Sequence, residues 1–375
     1  MIIQNGMIFT EDGKFETIDL AIEDDVIVCE TKQNEVIDAS GLYVIPGLID
    51  IHLHGCMGHD FGEASHEAIA AMAKYQLQNG VTAICPASMT LDVEHLKDIF
   101  SNAASYQSDE GAEFAGIYME GPFLSAKKRG AQSEKYLQKA DAELFEMLQN
   151  TAGNRIKVVA VAPEEEGALA FIEEMSKKVQ VSVAHTCADY TTAMKAFACG
   201  ARQVTHLYNG MNGMNHREPG VIGAVADAEN AMAELICDGM HIHPAVVRAT
   251  FKMLGDDRII MISDSMSACG LGDGLYELGG QAVDVKAQVA RIAGTDVIAG
   301  SVKNIMECMK TAVKHMNIPL ESAVKACTHN PAKAIGIYEQ MGSISGGKKA
   351  NLVLLDKELQ IKMIIKDGRI VYSIS

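Results

Sequence analysis

Two histidines one residue apart close an apolar run in "PGLIDIHLHG", residues 46–55. A short run without polar alternation reads as a strand buried on both faces. Strand geometry sends residues two apart to the same side, so His52 and His54 point one way at the strand's end, as ligands of one metal ion do. A pair of hydrogen-bonded structural histidines fits the tripeptide equally well, and the rest of the chain has to decide. Further apolar runs end in the same kinds of side chain: Glu120 in "FAGIYMEG", His185 in "VQVSVAHT", His206 in "RQVTHLYN", His241 and His243 in "AELICDGMHIH", and Asp264 in "RIIMISDS". His52, His54, His185 and His206 with Glu120 and Asp264 form a nitrogen and oxygen donor set suited to Zn, Mn or Fe(II). One arrangement of that set holds two ions with Glu120 between them. Such ions lower the pKa of a water and polarise a carbonyl. Asp264 can then take a proton from the water and pass it to a leaving amine. Hydrolysis of an amide or a related bond is the reaction class this chemistry serves.

The elements that would position these groups alternate along the chain. Counting "YVIPGLIDIHLHG", "VTAICPAS" and "IKVVAVAP" with the runs above gives eight strand candidates. Amphipathic stretches such as "SHEAIAAMAKYQLQNG", "GALAFIEEMSKK" and "YTTAMKAFACG" lie between them, the first and last stopping at glycine as helices commonly do. The expected fold is α/β, a (β/α)₈ TIM-like barrel with its active site at the C-terminal strand ends. Six of the eight strands then close in a titratable or ligating side chain. A lone histidine is more often a satisfied core residue, but repetition at one rim is hard to ascribe to coincidence. The chain ends read differently. "MIIQNGMIFT", "DLAIEDDVIVCE", "NLVLLDKELQ" and "IKMIIKDGRIVYSIS" are strand-like with turn signals. Residues 1–46 and 340–375 are therefore expected to pair into a small β-sandwich, interrupted by a barrel over 47–339.

Composition narrows the partners. A formal net charge of −17 opposes nucleic acid and anionic membranes. No apolar block follows a basic opening and no apolar stretch is long enough for a membrane span, so a soluble chain is expected. Nine cysteines are scattered without a C-x-x-C pair, which points to a reducing cytoplasm and no disulfide framework. "SGGKKA" lacks the remainder of a nucleotide-binding loop and reads as a turn.

"PGLIDIHLHG", "EGPFL", "VAHTCADY", "THLYNGM", "DGMHIHP", "ISDSM" and "THNPAKAIGI...GSISGGKKANLVLLD" together resemble the amidohydrolase superfamily and, within it, the N-acetylglucosamine-6-phosphate deacetylases. The likeness spans nearly the whole chain. It implies that His52, His54, Glu120, His185 and His206 bind metal, and that Asp264 is the catalytic aspartate beside them. It implies one or two divalent ions per subunit, zinc first, with iron or manganese as alternatives. His241 matches a substrate contact, and "HLYNGMNGMNHREPG" resembles a sugar-phosphate loop that would place Asn209 and Gly210 on the substrate. Arg217 matches an arginine that reaches the phosphate held by a neighbouring subunit, implying a homodimer. Ala131 and Gln132 after "KKRG", and Gly300 and Ser301 in "VIAGSV", match segments that line the substrate. The implied reaction converts N-acetylglucosamine 6-phosphate to glucosamine 6-phosphate and acetate, in amino-sugar catabolism.

One position departs from the pattern. Gln132 stands where relatives often carry a histidine, and an amide donates a hydrogen bond without being a cation. Substrate preference is open there, and a different N-acylated amino sugar is an alternative. Cyclic amidases of the superfamily use a carboxylated lysine at the end of the fourth strand. Here the only lysine of "IKVVAVAP", Lys157, lies near its start. An inactive scaffold would be expected to have lost ligands, and the set is complete. His243 is assigned to a supporting or surface place, and no role is assigned to His59, His66, His95, His216, His315 or His329.

Overall fold

Eight parallel strands follow chain order around a barrel in the computed structural model, which describes residues 1–33 and 35–374. They are Leu48–Leu53, Val81–Ser88, a third strand split into Glu113–Phe114 and Ile117–Met119, then Ile156–Val161, Gln180–Val183, Gln203–Val204, Met232–Ile236 and Ile259–Ile262. Each pairs in parallel with the next. The ring is drawn together past the eighth strand. There the Asp264 N–H donates to the His52 carbonyl at 2.9 Å, and the N–H groups of His54 and Gly55 donate to Ser265 at 2.7 and 3.0 Å. The fold is the α/β barrel that the alternation of runs and helices predicts.

The apolar runs have two faces to fill. Ile49, Ile51, Ala83, Cys85, Val158, Ala160, Ile236 and Ile260 pack with Tyr118 inside the barrel. Ala332, Ile335 and Ile337 join this core. They follow Asn330, whose amide donates to the Asp256 and Ile259 carbonyls at 2.7 Å and so ties its helix to the start of the eighth strand. Val159, Val161, Val181 and Val183 face outward into a larger core shared with Phe171, Ile172 and Phe197 of the surrounding helices. Burial on both faces accounts for the missing polar alternation. Helices form at the three expected patterns, His66–Gln78, Ala168–Met175 and Tyr190–Ala198. Ser65 and Asp189 cap the first and last through their side chains.

The two chain ends meet in sheets. A four-stranded sheet holds Ile2–Gln4, Leu20–Glu23, Val26–Val28 and Val36–Asp38. A six-stranded sheet takes Met7–Phe9, Phe15–Thr17 and Tyr43–Pro46 from the start, and Leu352–Leu355, Ile361–Lys366 and Arg369–Ser373 from the end. The halves join where Tyr43–Pro46 pairs antiparallel with Leu352–Leu355. Ile3, Ile22, Ile27, Val44, Leu352 and Ile365 share one core between the sheets. No helix among the described residues is long and apolar enough to cross a membrane.

A three-stranded antiparallel sheet, Gly274–Leu278, Gln281–Lys286 and Val289–Ile292, is an addition that the strand count above does not contain. Gly279 and Gly280 form its first turn, a two-residue signal present in the sequence. The sheet packs Val283 and Val285 against Met89 and Met266 beside the barrel mouth.

His329 provides a test of the lower packing. It is 8% exposed, its ring centroid lies 4.4 Å from that of Tyr338, and burial followed by Lys333, Lys325 and Lys348 lowers its pKa to about 4. A histidine in the unfolded chain titrates near 6.5. Between those values the unfolded chain binds a proton that the folded chain refuses, so stability falls as pH drops through the window. His329→Gln should therefore narrow the difference in melting temperature between about pH 7 and about pH 5 relative to wild type. An unchanged difference would show that folding does not lower the His329 pKa.

Candidate functional site

His52 sits near the end of the first strand, His54 just past it, and Glu120 directly after the third. His185, His206 and Asp264 each lie two residues beyond the fifth, sixth and eighth strands. These last three share a backbone feature that composition does not reveal. Their φ angles are 41°, 29° and 50°, in the left-handed region that non-glycine residues avoid. Each such residue costs roughly 1–3 kcal/mol and persists only where the surroundings impose it.

The six side chains converge. Glu120 Oε1 lies 3.1 Å from His185 Nε2, 3.0 Å from His206 Nε2 and 3.7 Å from His52 Nε2, while Oε2 lies 3.4 Å from His54 Nε2. Asp264 Oδ1 stands 3.2 Å from His54 Nε2 and 3.6 Å from His52 Nε2. Two groups of potential ligands result, His52, His54 and Glu120, and Glu120, His185 and His206, with Glu120 common to both. Nitrogen and oxygen ligands about 2.0–2.2 Å from a tetrahedral ion stand about 3.3 Å from one another. The observed separations fall around that value.

The outer nitrogens decide what the inner ones can do. His52 Nδ1 lies 3.1 Å from Glu234 Oε2, His54 Nδ1 3.1 Å from the Ala87 carbonyl, His185 Nδ1 2.8 Å from the Lys128 carbonyl, and His206 Nδ1 3.1 Å from the Asn209 carbonyl. Carbonyl and carboxylate oxygens only accept, so each Nδ1 carries a proton and each neutral ring leaves Nε2 bare toward Glu120. Bare nitrogens around a buried carboxylate repel it unless positive charge lies between. His52 Nε2, fully buried, has no hydrogen-bond partner. Burial would raise the Glu120 pKa, but His52, His185 and His206 hold it well below the usual carboxylate range. Asp264 is likewise lowered, against burial, by His54, His52 and His206. Burial would lower His52, yet Glu234 and Glu120 raise it well above its ordinary value. Donor types, spacing and the orphaned nitrogen all fit a divalent cation.

Glu234 was not among the residues read from the sequence. It is fully buried, and besides His52 it accepts the His206 backbone N–H at 3.1 Å and the Gln203 side-chain amide. Its signal was present: an acid in the middle of the apolar strand "MAELI" must have partners to be buried.

A cavity of about 290 Å³ opens over this cluster. His54, Glu120, His185, His206 and Asp264 line it together with Ala131, Gln132, Asn209, Gly210, His241 and Gly300. Leu278 of the added sheet, Val297 and Ile298 contribute its apolar wall. Gly210 has φ +61°, and a Cβ there would lie 2.8 Å from His185 Nδ1, so a side chain would displace that ring. His241 directs Nδ1 to Asp238 Oδ2 at 2.8 Å. Burial would raise Asp238, but His241 and the backbone N–H groups of His241 and Met240 bring it to about 2. Ser301 does not line the cavity; it is buried and donates its hydroxyl to Asp238 Oδ2 at 3.0 Å, standing behind His241. Arg217 is also away from the cavity, on the exposed stretch 212–218. His243 caps the helix Pro244–Leu254 by accepting the Ala245 N–H.

Residues 43–371 match the amidohydrolase family. An N-acetylglucosamine-6-phosphate deacetylase of Bacillus subtilis (strain 168) is 34% identical over 378 residues, covering 99% of this chain and 94% of that protein. An N-acetylgalactosamine-6-phosphate deacetylase of Escherichia coli O157:H7 is 30% identical, with 98% of each covered. The solved structure of a Mycobacterium smegmatis N-acetyl-D-glucosamine-6-phosphate deacetylase variant in complex with N-acetyl-D-glucosamine-6-phosphate superposes with a TM-score of 0.91 at 31% identity, covering 100% of this chain and 99% of that one.

Glu234 yields a prediction. His52 Nδ1 and the His206 backbone N–H both donate to Oε2, so Glu234→Gln keeps its oxygen for those two donors, turns its amide nitrogen to the Gln203 amide, and removes the negative charge behind His52. The ring proton stays on Nδ1, but His52 loses the carboxylate that makes its Nε2 a stronger ligand. Affinity for a divalent ion at His52 and His54 should fall by about 10- to 100-fold, the usual scale for a partner behind a ligand. Unchanged affinity, measured by competition with a chromogenic chelator, would remove Glu234 from that role.

Proposed function

The chain belongs to the amidohydrolase family, and from that premise we infer that it is a metal-dependent deacetylase converting N-acetylglucosamine 6-phosphate to glucosamine 6-phosphate and acetate in amino-sugar catabolism. The observation that carries the reading is Glu120 shared by two pairs of imidazoles, with Asp264 beside them at the mouth of the barrel. Divalent ions bound there would polarise the acetamide carbonyl and acidify a water.

The chain's own groups supply the rest. Water adds to the acetamide carbon, and Asp264 accepts its proton. The same carboxyl delivers that proton to the nitrogen as the C–N bond breaks, releasing acetate and the amine. Asp264 suits both steps because the imidazoles keep it ionised at the start. His241, anchored by Asp238 through Nδ1, has Nε2 left to bond the substrate. Asn209, Gly210, Ala131 and Gly300 wall the sugar, and Leu278, Val297 and Ile298 give the cavity an apolar side.

Zinc is the first ion in this reading and iron or manganese the alternatives, since the nitrogen and oxygen donors serve all three. No lysine or arginine lines the cavity among the described residues, whereas Arg217 is presented on an exposed loop. That contrast supports a homodimer in which each Arg217 reaches the phosphate bound by the other subunit. Free cysteines and a net charge of −17 support a cytoplasmic protein without nucleic-acid or membrane partners. The division into a sandwich of 1–46 and 340–375 and a barrel of 47–339 belongs to the same reading, supported by the sheet that draws strands from both ends.

Acetate release should follow N-acetylglucosamine 6-phosphate, cease on chelation and return with added zinc, iron or manganese; the unphosphorylated sugar and the galacto epimer are the comparison substrates. Turnover of the 6-phosphate that survives complete metal removal would sink the reading. Asp264→Asn should lower kcat by about a hundredfold or more with metal content largely kept, the scale of a lost general acid and base. Arg217→Ala should raise KM for the phosphorylated sugar about tenfold or more with kcat little changed, as loss of a charged contact made equally in ground and transition states requires. An unchanged KM would separate Arg217 from the phosphate.

A further inference from the structure

Gln132 is 2% exposed, and both ends of its amide are engaged inside the protein. Its Oε1 accepts the Thr90 backbone N–H at 2.6 Å. A backbone N–H only donates, so this contact fixes which end of the amide is oxygen. Nε2 is thereby turned onto Glu120 Oε2, 2.7 Å away, with Met89 Sδ at 3.5 Å. The amide is thus held within the protein, and the two oxygens of Glu120 have become unequal. Oε1 faces the bare Nε2 atoms of His185 and His206 at 3.1 and 3.0 Å, with His52 Nε2 farther off at 3.7 Å. Oε2 faces His54 Nε2 and also carries the hydrogen bond from Gln132.

We propose that Gln132 is a positioning residue that makes the two cation sites unequal, weakening the site at His52 and His54 while leaving that at His185 and His206 tight. This rests on reading the cluster as metal-binding, and not on the identity of the substrate. A hydrogen bond donated to Oε2 occupies one of its lone pairs and draws charge from it. An ion at His52 and His54 therefore meets a poorer ligand than one on Oε1. Gln132 cannot step aside freely, because Thr90 is 1% exposed and its backbone N–H would lose its partner. His52 and His54 are both in place, so the second site is retained with lower affinity.

Ion binding can be read without any substrate. The full chain is stripped, titrated with zinc against a chelator of known affinity, and analysed for metal by mass spectrometry. Wild type should hold about one ion per chain tightly and a second at least about tenfold more weakly, the scale of one hydrogen bond to a charged group. Gln132→Met keeps the length and lacks the donor; it should tighten the second ion about tenfold and leave the first unchanged. Gln132→Glu, which replaces the donor with an acceptor, should tighten it at least as much, and serves where the methionine variant does not fold. His54→Ala should abolish the second ion alone, which identifies its site. Two ions of equal affinity in wild type, or a second-site affinity within about twofold of wild type in the folded Gln132 variants, would overturn the proposal and leave the metal reading intact. No bound ion in wild type would overturn both.

Discussion

Everything at the barrel mouth depends on the protons of four imidazoles being held on the outer nitrogens. Glu234 and the carbonyls of Ala87, Lys128 and Asn209 are acceptors, and they sit behind His52, His54, His185 and His206 in turn. The inner nitrogens are left without hydrogen, gathered around one buried carboxylate. Such a cluster is stable with a cation or with extra protons, and not with neither. The raised pKa values of His52 and His54 express the second alternative, their rings taking up charge that Glu120, Glu234 and Asp264 demand. Cation binding replaces those protons, which couples the site to pH through the ligands themselves.

The same segments close the barrel. Asp264 and His52 are joined by a backbone hydrogen bond, and His54 and Gly55 by two more to Ser265, so the first and eighth strands meet where their ligands must meet. The Ser301 N–H donates to the Asp264 carbonyl at 2.7 Å and its hydroxyl to Asp238, extending the tie to the group that anchors His241. The left-handed backbone at Asp264 lies within this framework, while His185 accepts the Ser125 N–H at its carbonyl and His206 donates its N–H to Glu234. Local strain at three strand ends is thus set against a well-packed interior from Ile49 to Ile262.

What could be read from the chain follows from how each residue carries its signal. His52, His54, Glu120, His185, His206 and Asp264 stood out because each ends an apolar run, and a barrel brings strand ends to one rim. Glu234 acts behind His52 through partners distant in sequence, and Asp238, although only three residues before His241, shares its Oδ2 with Ser301 far along the chain, so only the folded chain shows these contacts. Gln132 was legible as a departure but not as a contact to Glu120, since the turn of its amide is fixed by Thr90, far along the chain. The sheet over 274–292 was missed although Gly279 and Gly280 mark its turn. Alternation of buried runs and helices dominated the reading, and this sheet is half exposed and antiparallel.

An acidic chain that takes a phosphorylated sugar faces a physical conflict. The long-range field of a protein with net charge −17 opposes an anion. At physiological ionic strength that field decays over about 8 Å, so only nearby charges act on the bound substrate. Near the cavity the carboxylates are buried and compensated: Glu120 and Asp264 by imidazoles and the ions they would hold, Asp238 by His241. The cavity wall thus presents imidazoles, backbone and apolar side chains in place of free acid. With no lysine or arginine in that wall among the described residues, charge for the phosphate has to be brought from outside the lining. In the homodimer proposed above, the exposed loop that carries Arg217 would meet that requirement across a subunit boundary, and assembly and anion recognition would then be the same event.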